Sequence, residues 1–306
     1  MGRVRHPLAA LRIPLNARVD SVVASVNGES SPRYVESLAG GPDGAVRLRW
    51  YRPEASQELP APSPTLVWAH GGGFFAGGIH QPEAHDVAAA LADKGVTVVS
   101  VDYQLAPLPG LDWALRGGAR PRARFPGPME DLLTVLRNVG GKSAGGVILG
   151  GASAGACLAA AAALRSAEMG PNLTGVVLAY GFFHAVHPRS DEIRRRVGDH
   201  RRLTHSRWVL NAVNRNYAGS ASALTDRFAF PGGHDLQGFP PTLMVNADRD
   251  AMRASGDQFA AELLAAGVEV ERHVLPESRH AFLNRPRLTE FTTAIDLMAS
   301  WCLSTP

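Results

Sequence analysis

The chain has 306 residues, 45% of them hydrophobic and 19% charged, with 32 Gly and 22 Pro spread without a repeating period. This composition supplies a buried core and excludes disordered, collagen-like, coiled-coil and solenoid chains, while the length allows one large α/β domain or two smaller ones. The net charge of +3 is uneven: residues 116–124 and 184–215 hold twelve Arg against three acids, a net of +9 that leaves −6 for the remainder.

Aromatics are sparse among those arginines, with Trp208 and Tyr217 standing alone, so a solvated basic face is expected and a nucleic-acid surface is not. Arg3 and Arg5 precede no continuous apolar run, and His6 stands where a myristoylation signal needs Ser or Thr. The longest apolar stretch, Ala154 to Leu164, falls well short of the ~20 residues that span a bilayer. A cytoplasmic protein without a membrane span is the expectation. Cys157 and Cys302 are too few for a disulfide framework or a zinc knuckle and are expected to be structural.

From residue 44 onward, short β-branched runs alternate with Ala/Leu-rich segments, the pattern of a mostly parallel central sheet flanked by helices. Strands are expected at Ala45 to Tyr51, Thr65 to Ala69, Val96 to Asp102, Gly146 to Gly150, Gly175 to Tyr180, Thr242 to Ala247 and Val268 to Leu275. Helices are expected at Glu83 to Asp93, Met129 to Asn138, Ala154 to Met169, Ser255 to Ala266 and Leu288 to Leu303, with Gly267 closing the fourth. Three stretches interrupt this alternation: 1–43, the Pro/Gly/Arg-rich 107–127, and 184–240. None has the makings of a separate domain. The expectation is a single domain over 1–306, with 1–43 and 184–240 forming a cap over the ligand end of the sheet. Segment 107–127 reads either as part of that cover or as a surface insertion.

Gly151-Ala152-Ser153-Ala154-Gly155 lies between an apolar strand and an Ala-rich helix, the context in which Gly-x-Ser-x-Gly forms a nucleophile elbow. Directly after the strand Thr65 to Ala69 comes His70-Gly71-Gly72-Gly73-Phe74. Consecutive glycines let backbone N–H groups converge on one point, as stabilisation of an oxyanion requires. A dinucleotide fingerprint fits these glycines less well, because Gly77, Gly78 and Pro82 delay the helix that should start on them. A nucleophilic serine needs a base and an orienting acid, which on this fold follow it in the order Ser, acid, His. His280, just past the last strand, is the candidate base; His273, inside that strand, reads as structural. Asn246-Ala247-Asp248-Arg249-Asp250 offers two candidate acids, and no His pair has zinc-ligand spacing.

Taken together, these residues resemble the hormone-sensitive-lipase family of α/β-hydrolases. The likeness runs over about 44–303 through the glycine motif, Tyr103-x-Leu105-Ala106-Pro107, Phe125-Pro126 with Glu130-Asp131, the Gly-x-Ser-Ala-Gly elbow, Pro240-Pro241, Asp250-x-Met252-Arg253-x-x-Gly256 and His280-x-Phe282. It implies the α/β-hydrolase fold and a carboxylic-ester hydrolase with no cofactor and no metal. The family pattern Asp-x-Leu-Arg-Asp-Glu-Gly makes its first Asp catalytic, which selects Asp250. Three family charges are absent here, where Ala152, Gln104 and Leu108 stand instead; losing them together avoids leaving one buried charge unpaired.

The resulting expectation is a serine carboxylesterase for short-chain acyl esters, with Ser153, Asp250 and His280 as the triad and the N–H groups of Gly72, Gly73 and Ala154 as the oxyanion hole. Phe74, Phe75, Tyr103, Phe182 and Phe183 are the candidate pocket walls. The expected partner is a small-molecule ester, and a homodimer stays open. An amide hydrolase or deacetylase would use the same triad. A non-catalytic ligand-binding protein on this fold would not need His280.

Overall fold

The computed structural model describes residues 34–41, 44–54, 63–110, 121–197 and 205–305. Eight strands form one sheet: β1 (Tyr34–Gly41), β2 (Gly44–Tyr51), β3 (Thr65–Ala69), β4 (Thr97–Asp102), β5 (Val147–Ala152), β6 (Gly175–Ala179), β7 (Thr242–Arg249) and β8 (Val270–Arg279). Their spatial order is β1-β2-β4-β3-β5-β6-β7-β8. The pairs β1/β2 and β2/β4 are antiparallel and the rest are parallel.

The central strands are apolar on both faces because helices cover both. Alternate residues of one strand enter different cores: Leu66 and Trp68 face one side, Val67 and Ala69 the other. On the first side lie α1 (Pro82–Asp93) and, after the intervening helices, the C-terminal α8 (Thr289–Ser304). The opposite side carries α2 (Gly127–Gly140), α3 (Ala154–Met169) and α7 (Arg253–Ala265). Helix α3 is buried at every position from Ala154 to Leu164. Its alanines let it lie close against β5 and β6, whereas an amphipathic helix would need a wet face.

Between β6 and β7 the 184–240 segment adds α4 (Asp191–Arg196), α5 (Arg207–Ala218) and α6 (Ala221–Leu224). Ser190, Ser206 and Ser220 cap them, each accepting a hydrogen bond from a backbone N–H of the first turn. Residues 121–127 are tied to this segment and to the glycine loop. Arg122 donates to the carbonyls of Phe75 and Ala106 at 2.8 and 2.7 Å, and Arg124 to that of Asn216 at 2.6 Å.

One expectation is corrected. Residues 34–41, assigned to the cap as part of 1–43, are the edge strand of the sheet, paired along their length with β2. Arg49, 2% exposed, pins the pair by donating to Glu36 at 2.6 Å and lying over the Tyr34 ring at 4.0 Å. A half-exposed edge strand lacks the continuous apolar run that marks its neighbours, which is why the pattern begins one strand late. The remaining cap residues 1–33 and 42–43, residues 111–120 of the 107–127 stretch and residues 198–204 of the basic stretch lie outside the described residues. No helix among the described residues is long and apolar enough to cross a membrane.

Candidate active site

Strand β5 ends at Ala152, α3 begins at Ala154, and Ser153 makes the turn between them with φ 53° and ψ −118°. A non-glycine residue is strained there, and the turn holds it because its N–H is anchored to the carbonyl of Ala179 on β6 at 2.9 Å. The helix can start so near the sheet only because Gly155 has no side chain: a Cβ at this position would collide with the carbonyl oxygens of Ala69 and His70.

Two loops at neighbouring strand ends bring the other groups to Ser153. After β8, His280 places Nε2 3.0 Å from Ser153 Oγ, and its Nδ1 lies 2.6 Å from Oδ2 of Asp250, which follows β7. Asp250 is 1% exposed, and its second oxygen accepts the N–H of Met252 at 3.0 Å. Burial pushes this carboxyl toward its neutral form, but the His280 imidazole and the Met252 N–H outweigh burial and hold it below the usual carboxylate range. The rings of Tyr180 and His205 stand edge-on to His280, each with its centroid 5.1 Å away.

The second acid of the sequence motif is turned elsewhere. Asp248 accepts from Arg196 at 2.7 Å and from Arg253 at 3.0 Å, linking α4 to α7. Geometry alone thus separates the two aspartates that residue type left equivalent.

The glycine loop runs past Ser153 on the β3 side. Gly72 adopts φ +129°, where a side chain would strike the carbonyl of Ala76. Among the described residues, the N–H groups of Gly72, Gly73 and Ala154 take part in none of the turn and loop hydrogen bonds. The N–H of Gly71 is engaged, donating to Glu83 Oε2 at 2.5 Å. His70 is buried beneath, stacked on Tyr103 at 4.4 Å, and the Tyr103 hydroxyl donates to the His70 carbonyl at 2.7 Å.

Glu83 is the residue that sequence reasoning passes over. An acid in the first turn of a helix is ordinary, yet this one is 1% exposed and points under the glycine loop. Besides the Gly71 N–H it accepts the Tyr180 hydroxyl at 2.5 Å. Burial raises its pKa, against the pull of those two donors and of His280. The only sequence signal is position, an acid next to Pro82 that closes the loop begun by the glycines.

The candidate wall residues separate. Phe74 stacks on Tyr217 at 4.0 Å and meets Phe182 edge-on at 5.5 Å, and Phe182 in turn touches the ring of His187 at 5.3 Å. Phe75 is partly exposed. Phe183 instead stacks on Phe259 of α7 at 4.3 Å, and Tyr103 is occupied with His70. Cys157 and Cys302 are both buried and unpaired with each other, and burial pushes the Cys302 thiol up to about 12.

The chain matches the family model of the alpha/beta hydrolase fold over residues 66–116 and 118–284. Among similar proteins are esterase LipI of Mycobacterium tuberculosis, 27% identical over 278 residues covering 85% of this chain and 79% of that protein, and carboxylesterase NlhH of the same species, 30% identical over 270 residues covering 82% and 76%. Among solved structures, an esterase of Pyrobaculum calidifontis superposes with a TM-score of 0.75 at 28% identity, covering 90% of this chain and 86% of that one.

Proposed function

The chain belongs to this α/β-hydrolase family, in its hormone-sensitive-lipase type, and from that premise we propose that it is a serine carboxylesterase whose nucleophile is Ser153. The observation that carries the reading is the hydrogen-bonded line from Ser153 Oγ through His280 to the buried Asp250. With the Nδ1 proton directed at Asp250, Nε2 presents its lone pair to the serine hydroxyl. Ser153 attacks the ester carbonyl as its proton passes to His280, and Asp250 stabilises the imidazolium that results. The carbonyl oxygen takes up negative charge where the N–H groups of Gly72, Gly73 and Ala154 have no partner of their own among the described residues. His280 then protonates the departing alcohol, and a water deprotonated by the same ring releases the acid from the acyl-enzyme.

Short acyl esters are the proposed substrates. Ser153 is 5% exposed and His280 6%, so the reacting atoms lie beneath side chains of the surrounding loops instead of on an open apolar face. An apolar pocket gains roughly 0.8 kcal/mol per buried methylene until it is full, after which each added carbon meets polar surface.

Labelling with a fluorophosphonate tests the nucleophile without a guess at the substrate: wild type reacts and Ser153→Ala does not. Equal labelling of both would remove Ser153 from the role. A 4-nitrophenyl ester series from acetate to palmitate tests chain length, and an optimum at dodecanoate or longer would overturn the short-chain assignment.

A further inference from the structure

Between the 184–240 segment and the C-terminal end of β7 lies a cavity of about 920 Å³. Its described lining stops one residue or one ring short of the proposed triad. Ala251, next in the chain to Asp250, lines it, and so does His205, whose ring stands against His280.

Its described walls are basic. The described lining includes Arg189, Arg194 and Arg207 against one acid, Asp191, which is already 3.5 Å from Arg194. Neither Arg189 nor Arg207 has a carboxylate partner among the described residues; Arg207 spends one N–H on the carbonyl of His187 at 2.6 Å. Helix α5 begins at this wall, with Ser206 and Arg207 in the lining, so its positive end faces the space.

The telling residue is His187. It lines the cavity, is 2% exposed, and neither ring nitrogen has a hydrogen-bond partner among the described residues. Buried polar groups are nearly always satisfied, by protein, water or ligand, and no described residue satisfies this ring. Burial lowers its pKa to about 4, so the ring is neutral, with one N–H to give and one lone pair. Among the described residues the donors therefore outnumber the acceptors on this wall, and they call for a ligand that presents charged oxygens.

We propose that this cavity is a carboxylate subsite read by His187 and Arg189, and that the enzyme's preferred esters are small molecules that carry a carboxylate. The inference rests on Ser153 and His280 being nucleophile and base, since it seats the reactive carbonyl beside them. Two ester types would bring the same chemistry: a half-ester of a dicarboxylic acid, with the charge on the acyl side, or an acylated hydroxy acid, with the charge on the alcohol side.

Paired substrates distinguish them. One pair is 4-nitrophenyl hemiglutarate and 4-nitrophenyl pentanoate; the other is 4-acetoxybenzoate and 4-acetoxybenzamide. Wild type should prefer the charged member of at least one pair by roughly fivefold in kcat/KM at low salt, with the preference carried by KM and shrinking as salt is added. In Arg189→Gln, at an exposed position, and in His187→Gln the charged-to-neutral ratio should fall toward one. A wild type that favours the neutral member of both pairs, or a ratio untouched by either variant, overturns the proposal. Failure of the catalytic reading would look different, with no ester of either pair cleaved and no fluorophosphonate label on Ser153. The cavity is tested in that event by calorimetry of glutarate and 4-hydroxybenzoate on Ser153→Ala: binding weakened by Arg189→Gln supports the subsite, and absence of binding rejects it.

Discussion

Glu83 and Tyr180 are joined by a 2.5 Å hydrogen bond, the tyrosine hydroxyl donating to a carboxyl that also receives the N–H of Gly71. One side chain on α1 thereby braces both the glycine loop and the ring packed against His280.

Replacing Glu83 by Ala leaves two buried donors without partners, at about 1–3 kcal/mol each, so a lowered Tm is expected. It also frees the loop that carries Gly72 and Gly73, and kcat should drop roughly tenfold with KM little changed. Glu83→Gln, which can accept from Gly71 and donate to Tyr180, should recover much of both. A fall in Tm with kcat intact would confine Glu83 to folding.

The two aspartates after β7 should respond very differently. Asp250→Asn removes the group that orients His280, and the corresponding change in a serine protease costs on the order of 10⁴ in kcat. Asp248→Asn removes the charge that Arg196 and Arg253 share but keeps an oxygen that can accept from them, and should lower stability modestly with kcat within a few-fold of wild type. Steady-state kinetics with circular dichroism on both variants decides the matter. The reverse order of losses would transfer the role to Asp248.

Ser153 occupies a backbone conformation that glycine adopts without strain. Ser153→Gly relieves it and Ser153→Ala does not, so the glycine variant should be the more stable by about 1 kcal/mol in urea unfolding, even after glycine's greater chain entropy is counted. Equal midpoints would mean that the turn is not strained.

The buried ring of His187 makes stability depend on pH. Its folded pKa of about 4 lies below the ordinary 6.5, so between those values the unfolded chain binds a proton that the folded one refuses. Stability is therefore highest above pH 6.5 and declines as the pH falls toward 4, by at most about 1.4 kcal/mol per unit. His187→Phe, which cannot take up the proton, should flatten that slope in urea midpoints measured from pH 7.5 to 4.5. An unchanged slope would show that the ring is protonated in the folded protein.

Much of this architecture is legible in the sequence, and the illegible parts share a cause. The parallel strands announce themselves because strands buried on both faces are continuously apolar, as Thr65–Ala69 is. Ser153 and the glycine loop stand out because tight turns demand particular small residues within a few positions. Asp250 is separable from Asp248 only by family pattern or by coordinates, since what distinguishes them is the direction in which each side chain leaves β7. Strand β1, Glu83 and His187 are invisible for a related reason. Each acquires its meaning from a partner far along the chain: β2 through Arg49 for the strand, Tyr180 for Glu83, and the wall shared with α5 for His187.

The all-round burial of α3 has a genetic consequence. A helix with a wet face carries positions at which sequence can drift without penalty, but from Ala154 to Leu164 this one has none. Nearly every alanine in that run abuts packed neighbours, so most single-nucleotide changes there enlarge a side chain where no space exists. The helix starts at the serine, so the resulting displacement is delivered to the nucleophile. Divergence among close relatives should accordingly collect in the exposed parts of the 184–240 segment and leave the stem beneath the serine almost unaltered.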